Sequence, residues 1–358
     1  MKLVSRNHFL DALRGIAALL VLATHLQSSL VGFYPGGWLA GRPVAIAVLE
    51  HGAIGVDVFF LISGFIVFLA ARRVIYAGRG VRLFLLKRFL RIYLPYWPIA
   101  LVLGASYALL PGLSAASVPI QVNWLKSLTL IPGGGDYSLS VAWTLTFEVF
   151  FYLLLGVALA LRSPHWRLCC IAAPSLLAVV LPLMSGVSVG FVQATSLATL
   201  LASPYQLEFL LGCAVAVLAA QRWPQLAVLR SYASLQLALL LIALVLLLLP
   251  LPATLAYRLG LLLVLSALIL LSSVRDFDQL PGVRTMASVG VISYSLYLLH
   301  NPIQSLAIRL AVRLALPEVS AALLLVLLPL LAALFYFRTV EAWSLHLMQR
   351  AAQRLQPV

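Results

Sequence analysis

Apolar stretches of roughly 18 to 22 residues recur along the whole chain, each long enough as a helix to cross a bilayer core of about 30 Å. Short polar or basic connections separate them. In order, they predict spans from about Phe9 to Leu30, from Gly52 to Ala71, and from Leu94 to just before Pro111. Ala142 to Leu161, Leu168 to Met184 and Tyr205 to Ala220 follow, then Leu235 to Leu249 and Leu255 to Ser272. The ninth covers Met286 to Leu306, and the tenth ends near Glu341. A polar loop with Lys126 and the turn Pro132-Gly133-Gly134-Gly135 joins the third to the fourth. The pattern predicts an all-α polytopic membrane protein, a bundle of about ten transmembrane helices. It contains no inverted internal repeat of the kind that marks many transporters.

Composition agrees with that pattern. The chain is 63% hydrophobic and 9% charged, whereas about a quarter of the residues of a soluble domain are charged. Two soluble domains, which the length alone permits, are thereby excluded. A net charge of +14 raises nucleic-acid binding, but the basic residues lie in connections between apolar runs and read as topology signals. One set of alternate segments carries Lys2 and Arg6, then Arg72, Arg73, Arg79, Arg82, Lys87, Arg88 and Arg91. It continues through Arg162, Arg167, Arg222, Arg230, Arg275, Arg284, Arg350 and Arg354. The other set carries only Arg42, Lys126, Arg258 and Arg313. The positive-inside rule then puts both termini in the cytoplasm. The N-terminal run is no cleavable signal, because Asp11 and Arg14 interrupt it and no small-residue cleavage site follows. Cys169, Cys170 and Cys213 lie in apolar runs without metal-ligand spacing and read as small core residues.

Ionisable residues inside apolar runs are costly and mark functional sites by default. Here they are Arg14, His25, Asp57, Glu148, Glu208 and His300. At about 1.5 Å per residue, His25 and Asp57 lie roughly 7 Å below the outer surface of the core. By the same measure Glu148 and Glu208 lie roughly 6 to 9 Å deep, and His300 about 10 Å. Five groups from five helices are thus expected in one layer. Arg14 and His25, eleven residues apart, share a helix face, with Arg14 nearer the cytoplasm. Ser293, Tyr297, His300 and Gln304 line one face of the ninth span, and Thr144, Glu148 and Tyr152 one face of the fourth. Such stripes suit a polar channel. Plainer readings stand beside this one. An intramembrane histidine can simply brace helices, Asp57 can cap its helix, and Glu208 can snorkel. The Arg72–Arg91 cluster can be a topology anchor or an anionic-lipid contact. Tyr93, Tyr96 and Trp97 read as an interfacial aromatic belt.

Leu10-Asp11-Ala12-Leu13-Arg14-Gly15, with Thr24-His25 beyond it, is followed by Gly55-Val56-Asp57-Val58-Phe59-Phe60-Leu61-Ile62-Ser63-Gly64-Phe65. Then come Lys87-Arg88-Phe89-Leu90-Arg91-Ile92-Tyr93-Leu94-Pro95 and Trp143-Thr144-Leu145-Thr146-Phe147-Glu148-Val149-Phe150-Phe151-Tyr152. Glu208-Phe209-Leu210-Leu211-Gly212 and Ser293-Tyr294-Ser295-Leu296-Tyr297-Leu298-Leu299-His300 complete the series. In this order, across most of the chain, these motifs resemble the integral-membrane acyltransferase-3 family, bacterial proteins that O-acylate surface glycans and related acceptors. Thr144 and Thr146 replace the family's usual serines but keep the hydroxyls. Val149 follows Glu148 where a second Glu or Gln is common, and Ala342 stands where a proline often follows the Val340-Glu341 pair. The resemblance implies a transmembrane acyltransferase domain over residues 1–345 and a short cytoplasmic tail over 346–358. Such a member is expected to work as a bare membrane domain or with a separate partner protein.

The resemblance further implies a cytoplasmic acyl-CoA donor, acetyl-CoA foremost, and no metal. The acceptor is a hydroxyl of a glycan, lipid-linked saccharide or secondary metabolite at the outer side of the inner membrane. Histidine has a pKa suited to removing a hydroxyl proton, and a carboxylate can orient it. The expected catalytic set is therefore His25 as base or transient acyl carrier, Glu148 or Asp57 as its partner, and His300 for proton handling. Arg72, Arg73, Lys87, Arg88 and Arg91 are expected on the CoA phosphates, with Arg14 steering the thioester. Thr144, Tyr152, Glu208, Ser293 and Tyr297 are expected to line the acceptor channel. A proton-coupled flippase or transporter would use a similar polar channel. The topology is testable directly. Reporter fusions after Gly134 are expected to signal from the outer compartment and fusions after Arg79 from the cytoplasm; a cytoplasmic signal at Gly134 removes the depth argument.

Overall fold

A computed structural model describes residues 7–76, 80–109, 121–185, 194–221, 233–249, 254–274 and 277–354. Of the basic residues used for topology, Lys2, Arg6, Arg79, Arg222, Arg230 and Arg275 lie outside the described residues. The chain forms two compact units, one of Met1–Phe65 with Leu211–Ala333 and one of Ile66–Leu210 with Leu334–Val358. Helices account for nearly all regular structure among the described residues, beside one isolated bridge between Val122 and Asp136. This is the architecture that hydrocarbon requires, because an α-helix satisfies its backbone polar groups internally. Six helical segments among the described residues are long and apolar enough to cross a membrane, and three shorter apolar helices accompany them.

The first unit is organised around α1, His8–Phe33, whose N-cap Asn7 accepts a side-chain hydrogen bond from the Leu10 N–H at 3.2 Å. Helix α2, Pro43–Glu50, has proline at its start, where the missing N–H costs nothing. A 3₁₀ turn, His51–Ile54, carries the chain into α3, Gly55–Tyr76. The expected span from Gly52 therefore begins in a 3₁₀ turn that follows a separate short helix. Helices α10 (Ala233–Leu248) and α11 (Leu255–Val274) pack on each other. Helices α12 (Val283–Val291) and α13 (Ser293–Arg313) both lie against α1, and α14 spans Glu318–Tyr336. The single expected span Met286–Leu306 is thus two helices that break at Ile292, whose backbone leaves helical geometry at φ −92° and ψ 5°.

Close approach of α1 and α12 rests on two glycines. A Cβ on Gly290 would press into the carbonyl of Asp11, and one on Gly15 into that of Met286. Helices in lipid gain little from burying apolar area, so small residues that permit tight backbone contact decide where they pack. Ala18, Leu22, Leu296 and Ala333 fill the next layer, and Leu30, Leu39, Ala307, Ile308, Ala311, Ala321 and Leu325 the layer near the end of α1.

In the second unit α4 runs without a break over Val81–Leu109, through Pro95 and Pro98. The basic segment expected to precede a span starting at Leu94 is therefore already helical. The reason is its own sequence: the Leu, Phe, Arg and Lys of Val81–Arg91 favour a helix, and proline perturbs only the turn before it. Helices α5 (Trp124–Thr129), α6 (Trp143–Ala160), α7 (Pro164–Ser185) and α8 (Leu197–Leu201) follow. Helix α9, Tyr205–Ala220, begins in this unit and ends in the first. After α14 a π-turn, Phe337–Glu341, leads into α15, Ala342–Arg354. The expected tail from residue 346 is thus helical to 354, packed on α4, and 355–358 lie outside the described residues.

Tyr93, Tyr96 and Trp97 do more than mark an interface. The Tyr93 and Tyr96 hydroxyls each donate to a carbonyl, Thr129 and Ser127 respectively, at 2.6 Å. The Trp97 indole N–H donates to the Leu128 carbonyl at 3.0 Å. Three aromatic donors on α4 thereby occupy the last carbonyls of α5, which a short helix leaves without intrahelical partners. Lys126, 4% exposed, donates to the Gly135 carbonyl at 2.8 Å and sits 4.2 Å above the Tyr137 ring. Burial pushes its ammonium pKa down, with Asp136 opposing the shift.

Gly290→Ala is expected to cost about 1–3 kcal/mol by overpacking against α1. Gly32→Ala, with nothing within 4 Å of the added carbon, is expected to leave the protein unchanged. Thermal unfolding of both variants in detergent measures the difference.

Candidate active site

The two intramembrane histidines meet within the first unit. His25 on α1 is half-buried and His300 on α13 is 1% exposed; their ring centroids are 5.0 Å apart and their planes inclined by 53°. His300 Nδ1 lies 2.7 Å from the Tyr297 carbonyl and 3.2 Å from that of Leu296. A carbonyl only accepts, so these contacts require the proton on Nδ1 and leave Nε2 with its lone pair. Nε2 is buried and has no hydrogen-bond partner among the described residues. The tautomer is thus set by the helix's own backbone.

The rest of the α13 stripe is buried around this pair. Tyr297 packs against His300 with centroids 5.6 Å apart and edge-on to Phe59 at 5.7 Å. Gln304 donates to the carbonyls of Leu22 at 3.2 Å and Leu325 at 3.1 Å, so it ties α13 to α1 and α14. Ser293 is 0% exposed at the start of the helix. Arg14 sits half-buried three turns below His25 on α1.

Asp57 is completely buried, and Arg258 on α11 holds it. A single guanidinium nitrogen, Nη1, lies 2.8 Å from both carboxylate oxygens. Sequence reading assigned Arg258 to a loop count, yet its side chain is only 11% exposed and closes the ion pair. The available signal was its position three residues after Leu255, inside an apolar window. Arg258 is therefore a hydrogen-bonded and ionic partner of Asp57.

Glu148, Tyr152, Thr144 and Glu208 belong to the second unit. The Tyr152 hydroxyl donates to Glu148 one turn earlier on α6. The Arg88 guanidinium lies 5.9 Å from the Tyr152 ring centre and 5.9 Å from that of Phe84. Arg91 reaches the buried Glu341 of the π-turn, Nη1 to Oε1 2.6 Å. Of the cations expected on CoA, Arg88 and Arg91 are thus turned toward α6 and the π-turn, while Lys87 and Arg72 are half-buried and Arg73 exposed. Glu341 was outside the expected site, although an acidic residue ending an apolar run was the same kind of signal as Glu148. Thr144 donates to the Val141 carbonyl at 3.1 Å, and Thr146 shares a 2.7 Å bond with Tyr137, which ties α6 to the loop before it. Glu208 is 0% exposed in the first turn of α9, beside Phe209, whose ring stacks on Phe151 at 3.7 Å. Among the described residues no three His, Cys, Asp or Glu side chains are grouped to hold a metal ion.

The chain is thus a multi-pass membrane protein, helical among its described residues, with two histidines in contact inside its apolar helices. Residues 7–338 match the family described as an acyltransferase domain, and the chain belongs to that acyltransferase-3 family. It is therefore an acyltransferase that transfers groups other than aminoacyl groups. It is 34% identical to "Protein 2 in picA locus" of Rhizobium radiobacter, over 44% of this chain and 73% of that protein. Identity to the exopolysaccharide production protein ExoZ of Rhizobium meliloti is 36%, over 33% of this chain and 37% of that protein. Identity to the acyltransferase MdmB of Streptomyces mycarofaciens is 32%, over 49% of this chain and 46% of that protein. This chain thus spans less than half the length of the last two. No solved structure matches it significantly.

Removing one member of the Asp57–Arg258 pair strands a buried charge. Asp57→Asn is expected to destabilise by about 3–5 kcal/mol, and the double variant Asp57→Leu/Arg258→Met to recover most of that. Thermal unfolding in detergent measures both; equal losses for single and double variants would mean that the carboxylate acts elsewhere.

Proposed function

We propose that this acyltransferase moves an acyl group, most simply acetyl, from cytoplasmic acyl-CoA to a hydroxyl of a glycan or glycan-like acceptor. Transfer takes place at the outer side of the bacterial inner membrane. The observation that carries the reading is the His25–His300 contact, with the His300 proton held on Nδ1 and its Nε2 left as a base. A sugar acceptor draws support from the name of ExoZ, and a CoA donor from the number of cations on α3 and α4.

His25 is the more accessible imidazole and takes the hydroxyl proton. As that proton leaves, the acceptor oxygen bonds to the thioester carbonyl carbon, the C–S bond breaks, and CoA departs as the thiol with the proton passed on from His25. His300 Nε2 is suited to accept the other N–H of His25 as the pair tightens around substrate, keeping the base oriented and its developing charge stabilised. Arg72, Arg73, Lys87 and Arg88 are the cations for the CoA phosphates. Glu341 holds Arg91, so Arg91 acts by fixing α4 as much as by touching donor. Asp57, paired with Arg258, and Glu148, bonded by Tyr152, receive structural roles in this scheme.

His25→Asn keeps polarity and approximate volume, and is expected to lower transfer by about 10²- to 10⁴-fold with donor affinity nearly intact. The assay is acyl transfer from acyl-CoA to glycan by purified protein in liposomes, with unfolding temperature followed in parallel. Near-normal transfer by a correctly folded variant would move the base to His300 or remove the histidine pair from the chemistry.

A further inference from the structure

We infer that the α1–α2 connection carries a binding subsite for an acidic oligosaccharide, formed by the Trp38 indole and the Arg42 guanidinium. The inference deepens the acceptor reading above and takes the ligand's role as acceptor from it. The connection is short and firmly anchored. Tyr34 donates its hydroxyl to the Leu316 carbonyl at 3.0 Å. Glu318, in the first turn of α14, accepts from two consecutive backbone N–H groups, Trp38 through Oε2 and Leu39 through Oε1, the latter at 3.0 Å. The Leu39 side chain is 2% exposed and packs with Ala307, Ile308 and Leu325. Backbone and neighbour are thus fixed on both sides of Trp38, yet its own ring is 61% exposed. The fold thus leaves most of a large aromatic side chain exposed.

Arg42 completes the platform. Its guanidinium carbon lies 4.2 Å from the centre of the Trp38 ring. A guanidinium stacked in this way keeps its in-plane N–H donors for a carboxylate or phosphate. Glu318 is the acidic side chain facing the connection, and both its oxygens are engaged by backbone N–H groups. Sugar rings offer apolar C–H faces that suit an aromatic plane, and acidic sugars add the anion that a guanidinium binds. The position fits as well. His25 lies eight residues before the end of α1, roughly 12 Å along the axis from the point where the connection leaves the helix. A chain of sugars resting on Trp38 can extend toward the histidine pair within the same unit.

The test is direct binding, independent of transfer. The full chain in detergent is titrated with an oligosaccharide of hexuronic acids and with the same oligosaccharide after reduction of its carboxyl groups. The native protein is expected to bind the acidic form more tightly. Trp38→Ala should lose at least about tenfold in affinity, the loss typical of an aromatic anchor, while Trp38→Phe should retain most. Arg42→Ala should abolish the preference for the acidic over the reduced form, and Glu318→Ala should weaken binding without altering either contact residue. Unchanged binding by Trp38→Ala, or no binding of either oligosaccharide by the native protein, overturns the inference. If Trp38→Ala binds normally but partitions less well into vesicles, the ring is a membrane-interface anchor. Failure of acyl transfer with intact oligosaccharide binding would count against the transfer reading and leave the subsite standing.

Discussion

Water is missing where most of this chain folds, and every ionised group placed there must find its counter-charge or hydrogen-bond partner within the protein. That constraint accounts for the pairings that hold the helices in place. Asp57 and Arg258 join α3 to α11, and Arg91 and Glu341 join α4 to the π-turn before α15. Tyr152 meets Glu148 within one helix. Each pair supplies what apolar contact cannot, since lipid tails solvate leucine as well as a neighbouring helix does. The histidine pair is the exception in kind. It joins two helices through their rings, with one ring braced by backbone carbonyls and its second nitrogen left without a protein hydrogen-bond partner among the described residues.

The helical class and the approximate positions of the spans were legible because hydrophobicity at this density has one structural outcome. His25 and His300 were legible for the same reason: a polar residue in an apolar run must face inward, and the i, i+4, i+7 spacing from Ser293 to His300 fixed which face. Partnerships were harder to read. Nothing local to Asp57 points to Arg258, which lies 201 positions away and had been counted as a loop charge. The start of α4 is not legible from charge alone, because Lys87, Arg88 and Arg91 continue the helix while Arg88 and Arg91 find partners on α6 and the π-turn. The break at Ile292 left no glycine or proline as a marker. Tyr93, Tyr96 and Trp97 matched the composition of an interfacial belt, and only the backbone position of α5 reveals their use as donors.

These features are distributed unequally over the two units. The first holds the imidazoles, the Asp57–Arg258 pair and the anchored connection bearing Trp38 and Arg42. The second holds most of the cations together with the Glu148–Tyr152 and Arg91–Glu341 contacts. The imidazole pair and most of the cations thus lie on separate sets of packed helices.

Helix α4 has a mechanical consequence. Its 29 residues extend roughly 44 Å, well beyond a hydrocarbon thickness of about 30 Å. A rod of that length in a slab that thin must lean or protrude, and the prolines at 95 and 98 provide the place to bend. The Tyr336 hydroxyl on the Pro95 carbonyl and Glu341 on Arg91 hold α4 at two successive turns just there. Tilt is the response a helix of this length has to a change in bilayer thickness, and a thinner membrane would displace Arg88 and Lys87 relative to the headgroups.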